Sequence, residues 1–234
     1  MSRDVLKPVL AVIAGAAVIL VALVIGSRLN DGKSNSKPTE LQMTVSIQQM
    51  LKGIPQQGIA LGEPSAPVTL VEFADMQCPY CGEWGRQTLP DLIANYVRAG
   101  KLRIEFSGLA FLGEDSVRML RLAQAAGKQN KLWNAIELMF ANQGTEGSGY
   151  ASDAYLRAIA EAIPGLDVER ALSVSQTSAM VGPMDAAKSR ASAAGFESTP
   201  SFLLGKTGSS LDGKFTGAVD LATLSKAIDA QLKK

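Results

Sequence analysis

A chain of 234 residues, 47% of them hydrophobic, is long enough for one ordinary domain with its own core plus additional segments. Its 23 basic and 22 acidic residues leave a net charge of +1, too weak a field to recruit phosphates, so no nucleic-acid partner is expected. With no histidine and only two cysteines, the chain has no Ser-His-Asp or Cys-His arrangement and cannot close a four-ligand zinc site alone, so no metal is expected.

The first element is apolar. Residues 8–27, PVLAVIAGAAVILVALVIGS, carry no charge, and a helix of that length rises far enough to cross a hydrocarbon core of ~30 Å. A cleaved signal peptide has an apolar core of only ~7–15 residues, so residues 1–27 are expected to be an uncleaved signal anchor. The basic residues on its two sides nearly balance. A short leader before a large C-terminal part favours a single-pass protein of the cell membrane with its domain on the extracytoplasmic side, where disulfides persist. Residues 28–54, opening SRLNDGKSNSKPTE, are expected to be a polar tether and lead-in to a domain at 55–234.

Residues 68–73, VTLVEF, are β-branched and aromatic and predict a buried strand. CPYC follows, with Pro79 suited to a first helical turn; the helix should run through Trp84 and Leu89 until Pro90 bends it. A second strand at 102–106 would complete a β-α-β unit. From about 113 to 195 the pattern is helical. Ser116 is the expected cap of a helix with Met119, Leu122, Ala123 and Ala126 on its apolar face and Gly127 at its end. Further apolar stripes run through Leu132, Ala135, Ile136 and Met139, and through Leu156, Ile159, Ala160 and Ile163. Trp133, Phe140 and Met180 could line a groove, but apolar residues at helical spacing favour core. STPSFLLG at 198–205 and GKFTG at 213–217 predict a hairpin, and a last helix starts at Asp220. GKT at 205–207 resembles the end of a phosphate-binding loop, but Pro200 stands where that loop needs glycine.

The chemistry centres on the two cysteines. A thiolate is the species that attacks a disulfide, and a helix N-terminus favours the anion, which makes Cys78 the nucleophile. Cys81, one turn later, is placed to resolve a mixed disulfide. A purely structural bond between them would close a very small loop and gain little entropy. Glu72, six residues before Cys78, is a proton acceptor if buried; strand alternation equally allows it to face solvent. Pro200 could follow a cis bond beside the dithiol, with Thr199 pairing to an extended substrate and tuning the thiolate, or could be a trans proline opening an edge strand.

Taken together, APVTLVEFADMQCPYC, a helical insertion and then STPSFLLG resemble the DsbA-like branch of thioredoxin-fold proteins, and GIPQQGIALGEPSAP resembles the lead-in of its membrane-anchored bacterial members. The resemblance covers residues 55–234. It implies an α/β thioredoxin-like fold with an inserted helical domain, preceded by one transmembrane helix. It also implies that Cys78 attacks, Cys81 resolves, Glu72 is the buried acid, Pro200 is cis, and Pro79, Tyr80, Thr199 and Pro200 border the substrate. The chain departs from the best-known oxidase of the branch in carrying Tyr80 where that protein has histidine, and CPYC is also similar to the glutaredoxin site.

The implied activity is formation of disulfides in cysteine-containing exported proteins. No cofactor is expected beyond the redox-active Cys78–Cys81 bond, which a DsbB-type or vitamin K epoxide reductase-type membrane enzyme would regenerate. A reductase or isomerase would use the same residues with the opposite poise. A tethered peptide-binding module with an inert pair is the alternative from another class.

Overall fold

The computed structural model describes Leu41 and residues 43–233. The expected anchor at 1–27, and with it the first part of the tether, lies outside the described residues. Among those described, no helix is long and apolar enough to cross a membrane.

A six-stranded sheet organises the fold, in the order β1-β2-β4-β3-β5-β6. Its centre is β3 (Val68–Asp75), parallel to β4 (Leu102–Leu109) on one side and antiparallel to β5 (Ser201–Lys206) on the other. The short β1 (Gln56–Gln57) and β2 (Ala60–Leu61) extend one edge, and β6 (Gly213–Thr216) pairs with β5 at the other as the expected hairpin. All eight residues of β3 are buried, which requires cover on both faces of the sheet. Leu70 and Ala74 belong to the main core with Trp84, Met119 and Trp133; Val71 and Phe73 pack on the opposite face with Ala187, Ala191 and Phe196.

Between β3 and β4, and after a helix near the start of the described chain, α1 (Thr44–Leu51), come α2 (Pro79–Gln87), α3 (Leu89–Leu92) and a π-helical turn, Ile93–Val97. The break between α2 and α3 falls at Thr88 (φ −108°), two residues before the proline expected to bend one continuous helix. Pro90 sits instead in the first turn of α3, where a missing N–H costs nothing. Between β4 and β5 lie α4 (Glu114–Gly127), α5 (Leu132–Ala141), α6 (Asp153–Glu161), α7 (Val168–Ser175) and α8 (Gly182–Ala194). Trp133, Phe140 and Met180 are at most 1% exposed and are core, not groove. The closing helix α9 (Leu221–Leu232) is capped by Asp220, whose carboxylate accepts from the Thr223 N–H at 2.8 Å.

Two expectations are corrected. Ser116 does not cap α4: the helix begins at Glu114 after Gly113 (φ 100°), and Ser116 is fully buried inside its first turns. Nor is the segment up to residue 54 all tether, because α1 is part of the fold. Ile47, Leu51 and Ile54 recur at helical spacing and enter the main core, outweighing the polar composition around them. Arg98 fixes this helix by donating to the carbonyls of Gln49, Met50 and Lys52.

Candidate functional site: a buried dithiol at a helix N-terminus

Because β3 ends at Asp75 and α2 begins at Pro79, the turn between them carries Cys78 as the N-cap of α2. The Cys78 N–H donates to the Asp75 carbonyl at 3.0 Å, and Gly82 donates back to the Cys78 carbonyl at 3.3 Å. Pro79 and Tyr80 are exposed, Cys78 is 5% exposed and Cys81 is fully buried, so the little solvent access the pair has is at Cys78. Both cysteines are free thiols.

Their proton affinities are split. A hydrogen bond from Cys81 lowers the Cys78 thiol from 9.0 to about 6 against the opposing cost of burial, helped by Thr199 and the N–H groups of Cys81 and Tyr80. Cys81 is pushed well up, first by burial and then by the neighbouring Cys78 and the charge of Glu72. In the reduced protein, alkylation of Cys78 by iodoacetamide should therefore rise through a midpoint near pH 6, with Cys81 unreactive. A single midpoint near the ordinary thiol value would contradict this arrangement.

Thr199 faces the same sulfur. Its peptide bond to Pro200 is cis, and its carbonyl accepts from Cys78 Sγ at 3.4 Å. Pro200 is buried where β5 begins, and its carbonyl accepts from the Gly217 N–H at 2.8 Å, tying the turn to the end of β6. The structure thus brings Cys78, Cys81, Thr199 and Pro200 together, with Pro79 and Tyr80 on the exposed rim.

Glu72 takes the buried alternative of the two that alternation leaves open. It lies between Phe106 and Phe202 in the sheet, on the Leu70 and Ala74 face, and is 1% exposed. Among the described residues, neither of its carboxylate oxygens has a hydrogen-bond partner. Burial, and secondarily the charge of Glu137, raises its pKa well above the carboxylate range, which favours the protonated acid and suits it to give a proton to a thiolate or to take one back from a thiol.

Sequence reasoning missed the residues that hold the turn. Buried Asp75 accepts from the N–H groups of Gln77 (2.9 Å), Phe111 (2.6 Å) and Leu112 (3.0 Å) and from the Ser116 hydroxyl. Gln77 in turn donates to the Leu112 carbonyl at 2.7 Å and accepts from Gly147 N–H at 2.8 Å. Gln143 Nε2 donates to the carbonyls of Met76 (3.0 Å) and Cys78 (2.9 Å). A Cβ on Gly82 would come within 2.5 Å of Gln143 Oε1, which explains the glycine inside the CPYCG run. An acid closing an apolar strand was the one available signal; Gln143, 65 residues from Cys78, offered none.

Against known proteins, a family model described as thioredoxin matches residues 55–230. The chain is 28% identical over 222 residues to a Bacillus cereus protein described as a probable disulfide bond formation protein D, a match covering 94% of this chain and 93% of that one. In three dimensions it is similar to oxidised BdbD from Bacillus subtilis, with TM-score 0.68 and 19% identity over 77% of this chain and 98% of that one. It is also similar to a thioredoxin-like oxidoreductase from Silicibacter pomeroyi, with TM-score 0.60 and 26% identity over 80% of this chain and 98% of the other.

Proposed function

We propose, because this chain belongs to the thioredoxin family and is a DsbA-like thiol–disulfide oxidoreductase, that it forms disulfides in exported proteins by passing on a Cys78–Cys81 bond. A client thiolate attacks Cys78 Sγ, the Cys78–Cys81 bond breaks, and Cys81 leaves with the electron pair and takes a proton from Glu72. A second client thiolate then attacks the client sulfur of the mixed disulfide and expels Cys78 as a thiolate. The client loses two electrons and the enzyme dithiol gains them.

The observation that carries the direction is the depressed Cys78 thiol, about 6, beside a raised Cys81. A low pKa makes Cys78 a good leaving group and stabilises the reduced enzyme, which is what makes its disulfide an oxidant. Thr199 beside the cis bond offers its backbone, and exposed Tyr80 and Pro79 their surfaces, to an extended client segment.

The Cys78–Cys81 bond is the only redox group this chemistry needs, and the electrons leave through a membrane oxidant of the DsbB or vitamin K epoxide reductase type. The supporting fact for anchoring by residues 8–27, with the domain in an oxidising extracytoplasmic space, is that these twenty residues are uncharged and long enough as a helix to cross a hydrocarbon core of ~30 Å. Nucleic acid has no part in this reading.

Equilibration of the full chain in detergent with glutathione buffers, read by thiol trapping, tests the direction. The expected potential lies well above the ~−270 mV of thioredoxin and toward the ~−120 mV of a strong oxidant. A value at or below the thioredoxin end would make the protein a reductase, and the absence of any reversible couple would remove the redox reading altogether.

A further inference from the structure

The influences that lower the Cys78 thiol are all hydrogen bonds, from Cys81, from Thr199 and from the N–H groups of Cys81 and Tyr80. The chain has no histidine to set a positive charge beside the sulfur. Hydrogen bonds help a thiolate only while they point at it, so the reactivity of Cys78 depends on how its turn is oriented. Two peptide planes set that orientation. The first, between Met76 and Gln77, is held at both ends: the Met76 carbonyl accepts from Gln143 Nε2 at 3.0 Å, and the Gln77 N–H donates to Asp75 Oδ1 at 2.9 Å. The second, between Cys78 and Pro79, has no N–H, so its carbonyl is the one polar group by which it can be gripped. That carbonyl accepts from the Gly82 N–H at a long 3.3 Å and from Gln143 Nε2 at 2.9 Å.

Gln143 is built into this position. Its amide nitrogen carries two hydrogens and meets two carbonyls, so its donors are fully used. Its side chain lies along the first turn of α2, where a Cβ on Gly82 would come within 2.5 Å of Gln143 Oε1 and 3.1 Å of its Cδ. Gly82 is helical and has no positive φ, so what the glycine provides is room for Gln143, not backbone freedom. One turn further along α2, Arg86 donates to the Phe140 carbonyl at 2.8 Å, in the last turn of α5. The two segments thus hold each other by bonds that run in opposite directions, and Gln143 makes the one that reaches the dithiol.

We propose that Gln143 is a positioning residue for the redox pair: it holds the peptide after Cys78 so that the first N–H groups of α2 stay aimed at the Cys78 sulfur, and Gly82 is the socket that admits it. The proposal rests on the disulfide-exchange reading above and gives the helical insertion a share in setting the redox poise. Gln143 touches no reacting atom and takes neither electron nor proton. Its influence differs between the two redox states. In the oxidised chain the Cys78 sulfur is neutral and gains little from aligned N–H dipoles; in the reduced chain it is an anion and gains much. Loss of the alignment therefore raises the proton affinity of Cys78, makes the reduced enzyme less stable and leaves its disulfide a weaker oxidant.

The experiment measures three quantities on the full chain in detergent: the pH midpoint of Cys78 alkylation by iodoacetamide, the equilibrium with glutathione, and urea unfolding of the reduced and oxidised forms. Gln143→Met keeps the bulk of the side chain and removes both donors. It should move the midpoint up from about 6 by roughly one pH unit, a tenfold change in proton affinity. At pH 8, where Cys78 is ionised with or without Gln143, the disulfide should be about tenfold less oxidising, ~30 mV toward the reducing end. Urea should show the reduced form losing more stability than the oxidised form. Gly82→Ala favours the helix by itself but drives Gln143 out, and should move the midpoint the same way. In a Gln143→Ala background the same substitution should add nothing, since the socket is then empty. An unmoved midpoint in Gln143→Met, equal losses from both redox forms, or shifts from Gly82→Ala and Gln143→Ala that sum in the double variant would overturn the role of Gln143 and leave the exchange reading intact. A wild-type chain without a reversible couple would overturn the exchange reading instead, and the Cys78 midpoint would still decide whether Gln143 positions the thiol.

Discussion

Cys78→Ser should abolish disulfide exchange, while Cys81→Ser should leave a chain that accumulates a stable mixed disulfide. Only Pro79 and Tyr80 separate the two cysteines, but their sulfurs live in different environments, one nearly buried with a depressed pKa and one fully buried with a raised one. Only the first can be reached by a client. A serine at 78 presents an oxygen that forms no disulfide, and Cys81 cannot substitute from inside the core. With serine at 81, Cys78 still attacks a disulfide, but the intramolecular thiol that would displace the partner is gone. The measurement is mass spectrometry of the chain after incubation with glutathione disulfide or an oxidised client peptide. Cys81→Ser should gain the mass of one half-partner and Cys78→Ser none. Undiminished function in Cys78→Ser would return the protein to the class of tethered peptide-binding modules.

The second large effect is on stability, at a residue that is not a cysteine. Asp75→Ala should destabilise the domain by ~3–5 kcal/mol, because it strands three backbone N–H groups and a hydroxyl that share one buried carboxylate. Each stranded donor costs ~1–3 kcal/mol, and partial relaxation keeps the total below the sum. Asp75→Asn keeps one acceptor oxygen but turns an amide toward donors, so it should lose somewhat less. Urea unfolding of the reduced chain reads the difference directly. The same variants should broaden the pH profile of Cys78 alkylation, since the Asp75 backbone and side chain fix the turn from which Cys78 projects. A loss under ~1 kcal/mol would mean that water replaces the carboxylate at little cost, and that the turn is held elsewhere.

How much of this is legible in the sequence depends on how far apart the cooperating residues are. The strand, CPYC and the proline at the first helical position are contiguous, so local rules suffice to place Cys78 at a helix N-terminus. The Thr199 carbonyl meets Cys78 across 121 residues, and only the resemblance to a family brings it to the dithiol. Glu72 is ambiguous for a physical reason. Alternation tells which strand residues share a face but not which faces are covered, and here both are. The turn's other supports, Ser116, Gln143 and Gly147, come from the insertion and meet Asp75, Met76, Gln77 and Cys78 only once the chain has folded. A serine near the start of an apolar stripe usually caps a helix, but the Ser116 hydroxyl goes instead to a buried acid on another element. Ile47, Leu51 and Ile54 are hidden by polar neighbours that dominate the composition of residues 28–54.

Gln143 grips the Met76 and Cys78 carbonyls while Gly147 holds Gln77, so the loop after α5 supplies part of the scaffold for a turn that belongs to the sheet. CPYC is therefore not a portable cassette. Grafted onto a thioredoxin scaffold lacking that loop, the same four residues would lose these backbone clamps and take on the host's reactivity. A chimera that carried the insertion along with them would keep the donor's.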